Sequence, residues 1–287
     1  MKHVRKLPGR LGLLSQAPRR LMIQIAFFLL QNPFLKNFAS GEIYQGGLKK
    51  ICAPGLNCYS CPAAAASCPI GALQLFFAGA RQSISLLVAG FLLSIGVVFG
   101  RLICGYVCPV GLLQDLLYKI KTPKRRARLR RLRYLKYAVL ALFVIILPLA
   151  VRHELSGLGS PWFCKYICPS GMIFGALPLL AANDFLRGMA GALFAFKTAA
   201  AFAFVSSSIF VYRFFCRALC PLGAIYSLFN KSAFVRMRCD KEKCIRCGAC
   251  KDACLLYLEP AEDPNPPECV RCAKCISVCP VRALGNR

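Results

Sequence analysis

The chain has 287 residues, of which 57% are hydrophobic, and its mean hydropathy is +0.54. This composition excludes an ordinary soluble domain and favours a multi-span membrane protein. The formal charge of +27 lies in a few blocks along the chain, so it indicates orientation in a membrane, and nucleic acid is not an expected partner.

The chain begins with a basic block. Residues 1–20 carry six Lys or Arg and no acidic residue, and residues 21–35 are predominantly apolar. A cleaved secretory signal peptide shares this pattern and is the alternative. Since no small-residue cleavage site follows cleanly, we favour a basic cytoplasmic N-terminus at 1–20 and an uncleaved first span at 21–35.

Three further stretches approach the length of about 20 residues that a transmembrane helix needs. Residues 82–100 are uncharged over nineteen positions, and residues 137–151 and 188–212 follow along the chain. The apolar run 172–182 is too short to cross and is expected to be re-entrant or interfacial. We therefore predict an all-α integral membrane domain over residues 21–232, with about four transmembrane helices.

One charge lies inside the last expected span, at Lys197. A lipid-facing charge at that depth is costly, so the side chain should face protein or a polar cavity. An ion pair or a side chain that reaches the surface is the favoured interpretation. A role in proton or quinone chemistry is the alternative.

The distribution of Lys and Arg orients the spans. Segments 1–20, 101–136 and 213–287 contain 6, 11 and 13 of these residues, whereas the loops 36–81 and 152–187 contain 4 and 3. The positive-inside rule assigns the richer segments to the cytoplasm. We expect a multi-pass protein of a prokaryotic cytoplasmic membrane with both termini in the cytoplasm.

Nineteen cysteines are the second constraint. Most of them lie in segments that the charge pattern assigns to the cytoplasm, where disulfides are rare. Metal binding is therefore their favoured use.

A cysteine motif recurs at the ends of the spans. The pattern Cys-x3-Cys-Pro-x-Gly occurs at Cys104–Gly111, Cys164–Gly171 and Cys216–Gly223, and a looser copy ends at Cys68–Gly71. The proline suits the first position of a helix, so backbone amides and the helix dipole should face the thiolates. One motif supplies two of the four thiolates that a cubane iron–sulfur cluster takes, so the motifs must work in couples.

The topology combines the motifs on the two faces. The ligands expected for one [4Fe-4S] cluster at the inner, cytoplasmic face are Cys104, Cys108, Cys216 and Cys220. The favoured ligands for a second cluster at the outer face are Cys61, Cys68, Cys164 and Cys168. In this scheme Cys52 and Cys58 form a disulfide or act as alternative ligands. A cluster held by Cys52, Cys58, Cys61 and Cys68 alone fits the sequence equally well, and disulfides in this loop are a further alternative.

Residues 233–287 carry the most specific signal. Two runs with the spacing Cys-x2-Cys-x2-Cys-x3-Cys match a bacterial two-cluster ferredoxin, in which the fourth cysteine of each run serves the other cluster. The first tail cluster is assigned to Cys244, Cys247, Cys250 and Cys279. The second is assigned to Cys269, Cys272, Cys275 and Cys254. Zinc modules lack this crossed spacing. We predict a small α+β ferredoxin domain with two [4Fe-4S] clusters here, and Cys239 is left without a role.

The chain resembles the membrane polyferredoxins, the family of NapH-type quinol dehydrogenase subunits and NosR-type electron-transfer domains. The resemblance rests on the two cytoplasmic Cys-x3-Cys-Pro motifs, the four expected spans and the two-cluster tail, and it covers roughly residues 80–287. It implies electron transfer between a quinone pool or a cytoplasmic donor and a partner redox protein. The loop Cys58–Gly71 and the motif at Cys164 and Cys168 go beyond the NapH pattern.

The sequence offers no constellation for acid–base or nucleophilic catalysis. Its histidines are His3 and His153, and it contains neither a Cys-x-x-Cys-His haem motif nor a Gly-rich nucleotide motif. We therefore expect a membrane-bound iron–sulfur electron-transfer subunit of an oxidoreductase complex, with no catalytic residue of its own. The alternative is a membrane iron–sulfur protein that regulates or matures another metalloenzyme. Clusters on both faces favour the conduit, since a sensor needs only one.

Overall fold

The computed structural model describes residues 11–79, 82–124, 132–152 and 158–286, and most of them are helical. The helices are α1 (Leu11–Gln31), α2 (Asn37–Ser40), α3 (Pro69–Phe77), α4 (Gln82–Phe99), α5 (Leu102–Tyr106), α6 (Pro109–Leu117), α7 (Leu132–Ala150), α8 (Phe163–Ile167), α9 (Gly171–Ala182), α10 (Asp184–Gly188), α11 (Ala192–Phe210), α12 (Phe214–Ala218), α13 (Pro221–Leu228), α14 (Ala249–Asp252) and α15 (Lys274–Ser277). The strands are β1 (Met237–Cys239) and β2 (Leu284–Asn286). Helix α8 and parts of α7 and α9 are π-helical. His153 lies outside the described residues.

Within the described residues, two helices are long and apolar enough to cross a membrane. They are α7 and α11, each of 19 residues. The apolar helices Leu86–Phe99 and Gly171–Ala182 are shorter. Of the four expected spans, the third and fourth therefore meet this criterion, and the expected span at 82–100 forms α4.

Helix α1 covers most of the first expected span and begins earlier than residue 21. Its polar side chains point to the segment that carries the first complete cysteine motif: Gln24 Nε2 donates to the carbonyl of Gly105 at 2.9 Å, and Gln31 Nε2 donates to that of Val107 at 2.9 Å. The opposite side of the helix exposes apolar side chains such as Met22 and Leu30. One face of α1 is thus fixed to protein by buried polar contacts.

Three helices begin at the proline of a cysteine motif, as the sequence predicts. Helices α3, α6 and α13 start at Pro69, Pro109 and Pro221, and each is preceded by a cysteine in an extended conformation. Pro has no N–H to satisfy and its fixed φ suits the first helical turn. The preceding cysteine is thereby held at the helix N-terminus, where unpaired backbone amides point.

Two buried arginines join a pair of motifs into one unit. Arg101 precedes α5, Arg213 precedes α12, and neither side chain is exposed. Arg213 Nη1 donates to the carbonyl of Cys104 at 2.6 Å, and Arg101 Nη2 donates to the carbonyl of Cys216 at 2.7 Å. The arginine of each motif therefore holds the first cysteine of the other.

Each of these arginines has a buried counter-charge. Arg213 pairs with Asp115 at 2.6 Å, and Arg20 pairs with the same carboxylate. Burial alone would raise the pKa of Asp115, but Arg213 and Arg20 lower it to about 2, so the carboxylate is ionised. Arg101 pairs with Glu268 at 2.9 Å. Buried charges are tolerated here because they are paired and hydrogen-bonded.

The tail folds as a small α+β unit. Strands β1 and β2 pair antiparallel, with Cys239 opposite Leu284, and α14 and α15 are single turns. Glu268 joins this unit to the helices, because its carboxylate also accepts from Lys136 at 2.6 Å. The tail is therefore docked on the helical part by buried ion pairs.

We expect Glu268→Gln to loosen the docked tail, because it leaves Arg101 and Lys136 buried without a counter-charge. Breaking a buried ion pair in this way costs about 3–5 kcal/mol. Hydrogen exchange of the tail amides measures that loss as a lower free energy of opening. The matched control is Asp240→Asn, since Asp240 and Lys243 form an exposed pair in the same tail. Equal exchange in the two variants would contradict the docking role of Glu268.

Candidate iron–sulfur sites

Four thiols from two motifs come together beside α6 and α13. The thiol of Cys108 lies within electrostatic reach of those of Cys104 and Cys216, and Cys220 within reach of all three. All four are buried. This inner group consists of Cys104, Cys108, Cys216 and Cys220, the same four residues that the sequence couples.

The inner group is supplied with hydrogen-bond donors aimed at sulfur. The amide of Leu56 lies 3.4 Å from Cys108 Sγ, the amide of Gly223 lies 3.3 Å from Cys220 Sγ, and Gln114 Nε2 lies 3.0 Å from Cys216 Sγ. Donors of this kind stabilise the negative charge of a thiolate-bound cluster. The residues present therefore fit a [4Fe-4S] cluster.

Burial makes three of these thiols poor acids in the absence of metal. It raises the pKa of the Cys108 thiol to about 12 and also raises the pKa of Cys216 and of Cys220. Metal centres bind thiolates and release the protons. At neutral pH the thiols of Cys108, Cys216 and Cys220 keep their protons unless iron takes the place of the proton.

A second set of thiols surrounds a cavity of about 600 Å³. Cys68 lies within electrostatic reach of Cys164 and Cys168, and Cys58 within reach of the latter two. Gly171 adjoins this approach, since a Cβ built there would lie 3.6 Å from Cys58 Sγ, at van der Waals distance. This outer group consists of Cys58, Cys68, Cys164 and Cys168.

The outer group differs from the favoured set of ligands at one position, because Cys58 stands where Cys61 was expected. The amide of Cys61 donates to the carbonyl of Cys58 in a tight turn, and the turn directs the Cys61 thiol to Asn32, 3.7 Å from its Oδ1. Cys61 packs there with Ala63 and Ala64. Its thiol therefore lies away from the cavity.

Neither a disulfide between Cys52 and Cys58 nor a cluster held by the outer loop alone matches the geometry. All nineteen cysteines lie in described segments and are free thiols, so Cys52 and Cys58 are not bonded to each other. Cys52 forms an isolated bridge with Ser67, and Cys58 lines the cavity. Of the four cysteines Cys52, Cys58, Cys61 and Cys68, two line the cavity, Cys58 and Cys68.

The outer and inner groups share a construction that the motifs alone did not reveal. Gln74 Nε2 donates to Cys164 Sγ at 3.1 Å, just as Gln114 donates to Cys216. Both glutamines follow a Cys-Pro pair at the same spacing, in the pattern Cys-Pro-x-Gly-x-x-Gln. This shared pattern is the feature of the sequence from which the two glutamines could have been predicted. Arg101 and Arg213 also share a position in the sequence, since each lies three residues before the first cysteine of its motif.

Lys197 lies at the outer group. Its half-buried side chain lines the same cavity as the four thiols. This position agrees with the expectation that a charge inside a span faces protein or a cavity. The outer group therefore has a lysine nearby, where the inner group has the two arginines.

The tail brings its cysteines together in two crossed sets. One cavity is lined by the first tail group, which consists of Cys244, Cys247, Cys250 and Cys279. A smaller one is lined by the second tail group, which consists of Cys254, Cys269, Cys272 and Cys275. In each set the fourth cysteine comes from the opposite run, which is the arrangement of a two-cluster ferredoxin.

The backbone repeats between the two runs. Arg246 and Arg271 occupy matching positions and have φ of 49° and 50°. Such left-handed conformations of non-glycine residues cost free energy and occur where the surrounding structure requires them.

Cys239 lies beside Cys244 in the first tail group, and Cys247 is exposed to solvent.

Among the described residues, no three His, Cys, Asp or Glu side chains are arranged around a single metal ion.

Comparison with known proteins connects the chain to iron–sulfur proteins. A family described as a 4Fe-4S binding domain matches residues 83–131, 136–180 and 194–239. The uncharacterized protein MJ0750 of Methanocaldococcus jannaschii is 31% identical over 201 residues, which cover 66% of this chain and 73% of that protein. No solved structure matches the chain.

Two relatives from Escherichia coli bear functional names. The putative electron transport protein YccM is 27% identical over 208 residues, 68% of this chain and 53% of that protein. The ferredoxin-type protein NapH is 23% identical over 193 residues, 62% of this chain and 59% of that protein. The thiol groups and these matches define an iron–sulfur protein of electron transport. The chain belongs to the NapH-like polyferredoxin family.

We expect Cys58→Ala to remove one [4Fe-4S] cluster, about four irons per chain, whereas Cys61→Ala should leave the iron content unchanged. The reason is that the Cys58 thiol lines the outer cavity and the Cys61 thiol faces Asn32. Iron analysis and electron paramagnetic resonance of protein purified without oxygen make the measurement. Loss of a cluster in Cys61→Ala alone would contradict this ligand set.

Gln114→Leu should lower the midpoint potential of the inner cluster and leave the outer one unchanged, because it removes a donor to the thiolate of Cys216. Gln74→Leu should do the reverse at Cys164. Hydrogen bonds to sulfur stabilise the more negative, reduced state of a cluster. Redox titration followed by paramagnetic resonance measures both potentials, and each variant is the control for the other. Equal shifts of both potentials in either variant would contradict the assignment of donors.

Proposed function

We propose that the chain is a membrane-bound conduit for single electrons, with one [4Fe-4S] cluster on each of the four thiol groups. It would pass electrons between a cytoplasmic or quinone donor and a partner redox protein, as a subunit of a larger redox complex. The observation that supports this most directly is the arrangement of the groups in a series. The order is outer group, inner group, second tail group and first tail group.

The outer and inner groups are neighbours. Tyr226 is fully buried and lies within electrostatic reach both of Cys68 in the outer group and of Cys104 and Cys108 in the inner group. Tyr226 is therefore a neighbour of both groups.

The inner group adjoins the second tail group through backbone contact. Gly105 follows Cys104, and Val270 follows Cys269. The carbonyl of Val270 lies where a side chain of Gly105 would begin, so only glycine permits this approach. The residues next to one cysteine of each group are thus in direct contact.

The two tail groups are joined by one turn of helix. Cys250 of the first tail group belongs to α14, and Cys254 of the second lies two residues after the end of that helix. The exposed thiol of Cys247 places the first tail group at the surface. This end of the series suits exchange with a soluble partner.

The bound clusters and the protein would have different roles. Bound clusters supply one-electron transfer, with potentials set by burial, charge and hydrogen bonds. The protein fixes the thiols, excludes water from the inner group and supplies donors to sulfur. No acid–base step is needed from the chain itself.

The membrane part of the proposal is supported by α7 and α11, which are long and apolar enough to cross. We propose four spans, formed by α1, α4, α7 and α11, with both termini and the tail in the cytoplasm. The supporting observation is the concentration of Lys and Arg in 1–20, 101–136 and 213–287.

The iron content of the purified protein tests the proposed electron conduit. Prepared without oxygen, the chain should contain about sixteen irons, four for each cubane cluster. About eight irons, with Cys104 and Cys216 open to alkylation, would restrict the clusters to the tail and contradict the series.

The inner cluster should depend on both of its motifs. We expect Cys104→Ala and Cys216→Ala to lose the same paramagnetic signal, and the double variant to lose no more than either single one, since residues that act on one centre are not additive. Cys239→Ala is the matched control, because that cysteine belongs to no proposed ligand set. Different signals lost in the two single variants would mean that each motif completes its cluster with a partner subunit.

A further inference from the structure

We infer that the segment Pro54–Cys58 is the route by which electrons cross between the outer group and the inner group. The inference rests on the proposed function, and it assigns that step to a stretch of backbone between the two groups. In the step, one electron would leave the reduced cluster held by one group and arrive on the oxidised cluster held by the other. No bond is made or broken and no proton needs to move.

The segment connects the two groups almost entirely by covalent bonds. Cys58 lines the outer cavity. Two residues before it, the amide of Leu56 donates to Cys108 Sγ at 3.4 Å. The path from one thiol group to the other therefore runs through the backbone of Asn57 and crosses a single hydrogen bond. Electron tunnelling weakens less steeply through bonds than across a gap of the same length.

Gly55 permits the contact. A Cβ built on Gly55 would lie 2.8 Å from the Cα of Cys108 and 3.2 Å from its Cβ. The first distance is shorter than real side chains show, so a larger residue would push the segment off Cys108. The absence of a side chain at position 55 thus keeps Leu56 within hydrogen-bond distance of the sulfur.

The segment is also held from both sides. Tyr226 donates its hydroxyl proton to the carbonyl of Pro54 at 2.9 Å, and its ring is fully buried. Asn57 is buried and donates to the carbonyls of Gln31 and Ala66, each at 3.4 Å. These contacts fix the backbone on either side of Leu56, as a route of constant length requires.

The first test uses the full-length protein in lipid nanodiscs without oxygen. A flash-generated deazaflavin radical serves as the one-electron reductant at the exposed tail, and freeze-quench paramagnetic resonance follows the signal of the outer cluster. Cys164→Ala identifies that signal by its loss. We expect Gly55→Ala to delay the outer signal several-fold and to weaken its dipolar coupling to the inner cluster, with the iron content intact. Gly90→Ala is the control, because a Cβ there meets no atom within 4 Å.

A second variant tests the route without introducing a clash. Tyr226→Phe removes the hydroxyl that holds Pro54 and should also delay the outer signal. Tyr137→Phe is its control, since Tyr137 shares a hydrogen bond of 2.7 Å with Ser227 and does not contact the segment's carbonyl. If Gly55→Ala loses iron, the comparison of Tyr226→Phe with Tyr137→Phe tests the route.

The outcomes separate the route from the conduit. Wild-type rates in both variants, with all clusters present, would overturn the route while the conduit stands. If the outer cluster of the unmodified protein never receives electrons from the tail, the conduit itself is wrong, and the route with it. A delayed outer signal in both variants, and in neither control, supports the segment as the route.

Discussion

Each cysteine motif supplies two thiols where a cubane cluster takes four, so the inner group exists only because two distant motifs are locked together. The lock is the exchange of arginines, in which Arg101 holds Cys216 and Arg213 holds Cys104. Fully buried guanidinium groups would be unfavourable alone. Asp115 and Glu268 compensate them, and Glu268 belongs to the tail. Docking of the tail and closure of the inner group therefore depend on the same charges.

The sequence predicted best what local spacing determines. The crossed sets of the tail follow from the fixed intervals of two short runs, and the inner four follow from repeated motifs at the ends of spans. The structure brings both sets of thiols together, and their role as iron ligands stays a prediction. The difference at Cys61 arose in a segment of turns, because spacing along irregular backbone does not determine where a thiol points. Sequence reasoning also missed Gln74 and Gln114, whose role depends on contact with another motif.

The outer and inner groups are two versions of one construction, in which a Cys-Pro helix with a glutamine faces a complete motif. They differ in the part of the chain that supplies one of the four thiols. In the inner group Cys104 comes from the same motif as Cys108, whereas in the outer group Cys58 reaches back from a loop ten residues before Cys68. That loop is what brings Leu56 against Cys108. The departure from the repeat therefore creates the contact between the two groups.

The pairing of Arg101 with Glu268 has a consequence for biosynthesis. The two residues are 167 positions apart, so the guanidinium is made long before its carboxylate leaves the ribosome. Until then, the helices around Arg101 contain a cation that water or lipid headgroups must solvate, and they cannot close over it. The final packing of the helical part must therefore wait for the last fifth of the chain, and a nascent chain that stops short of the tail would stay open at this point.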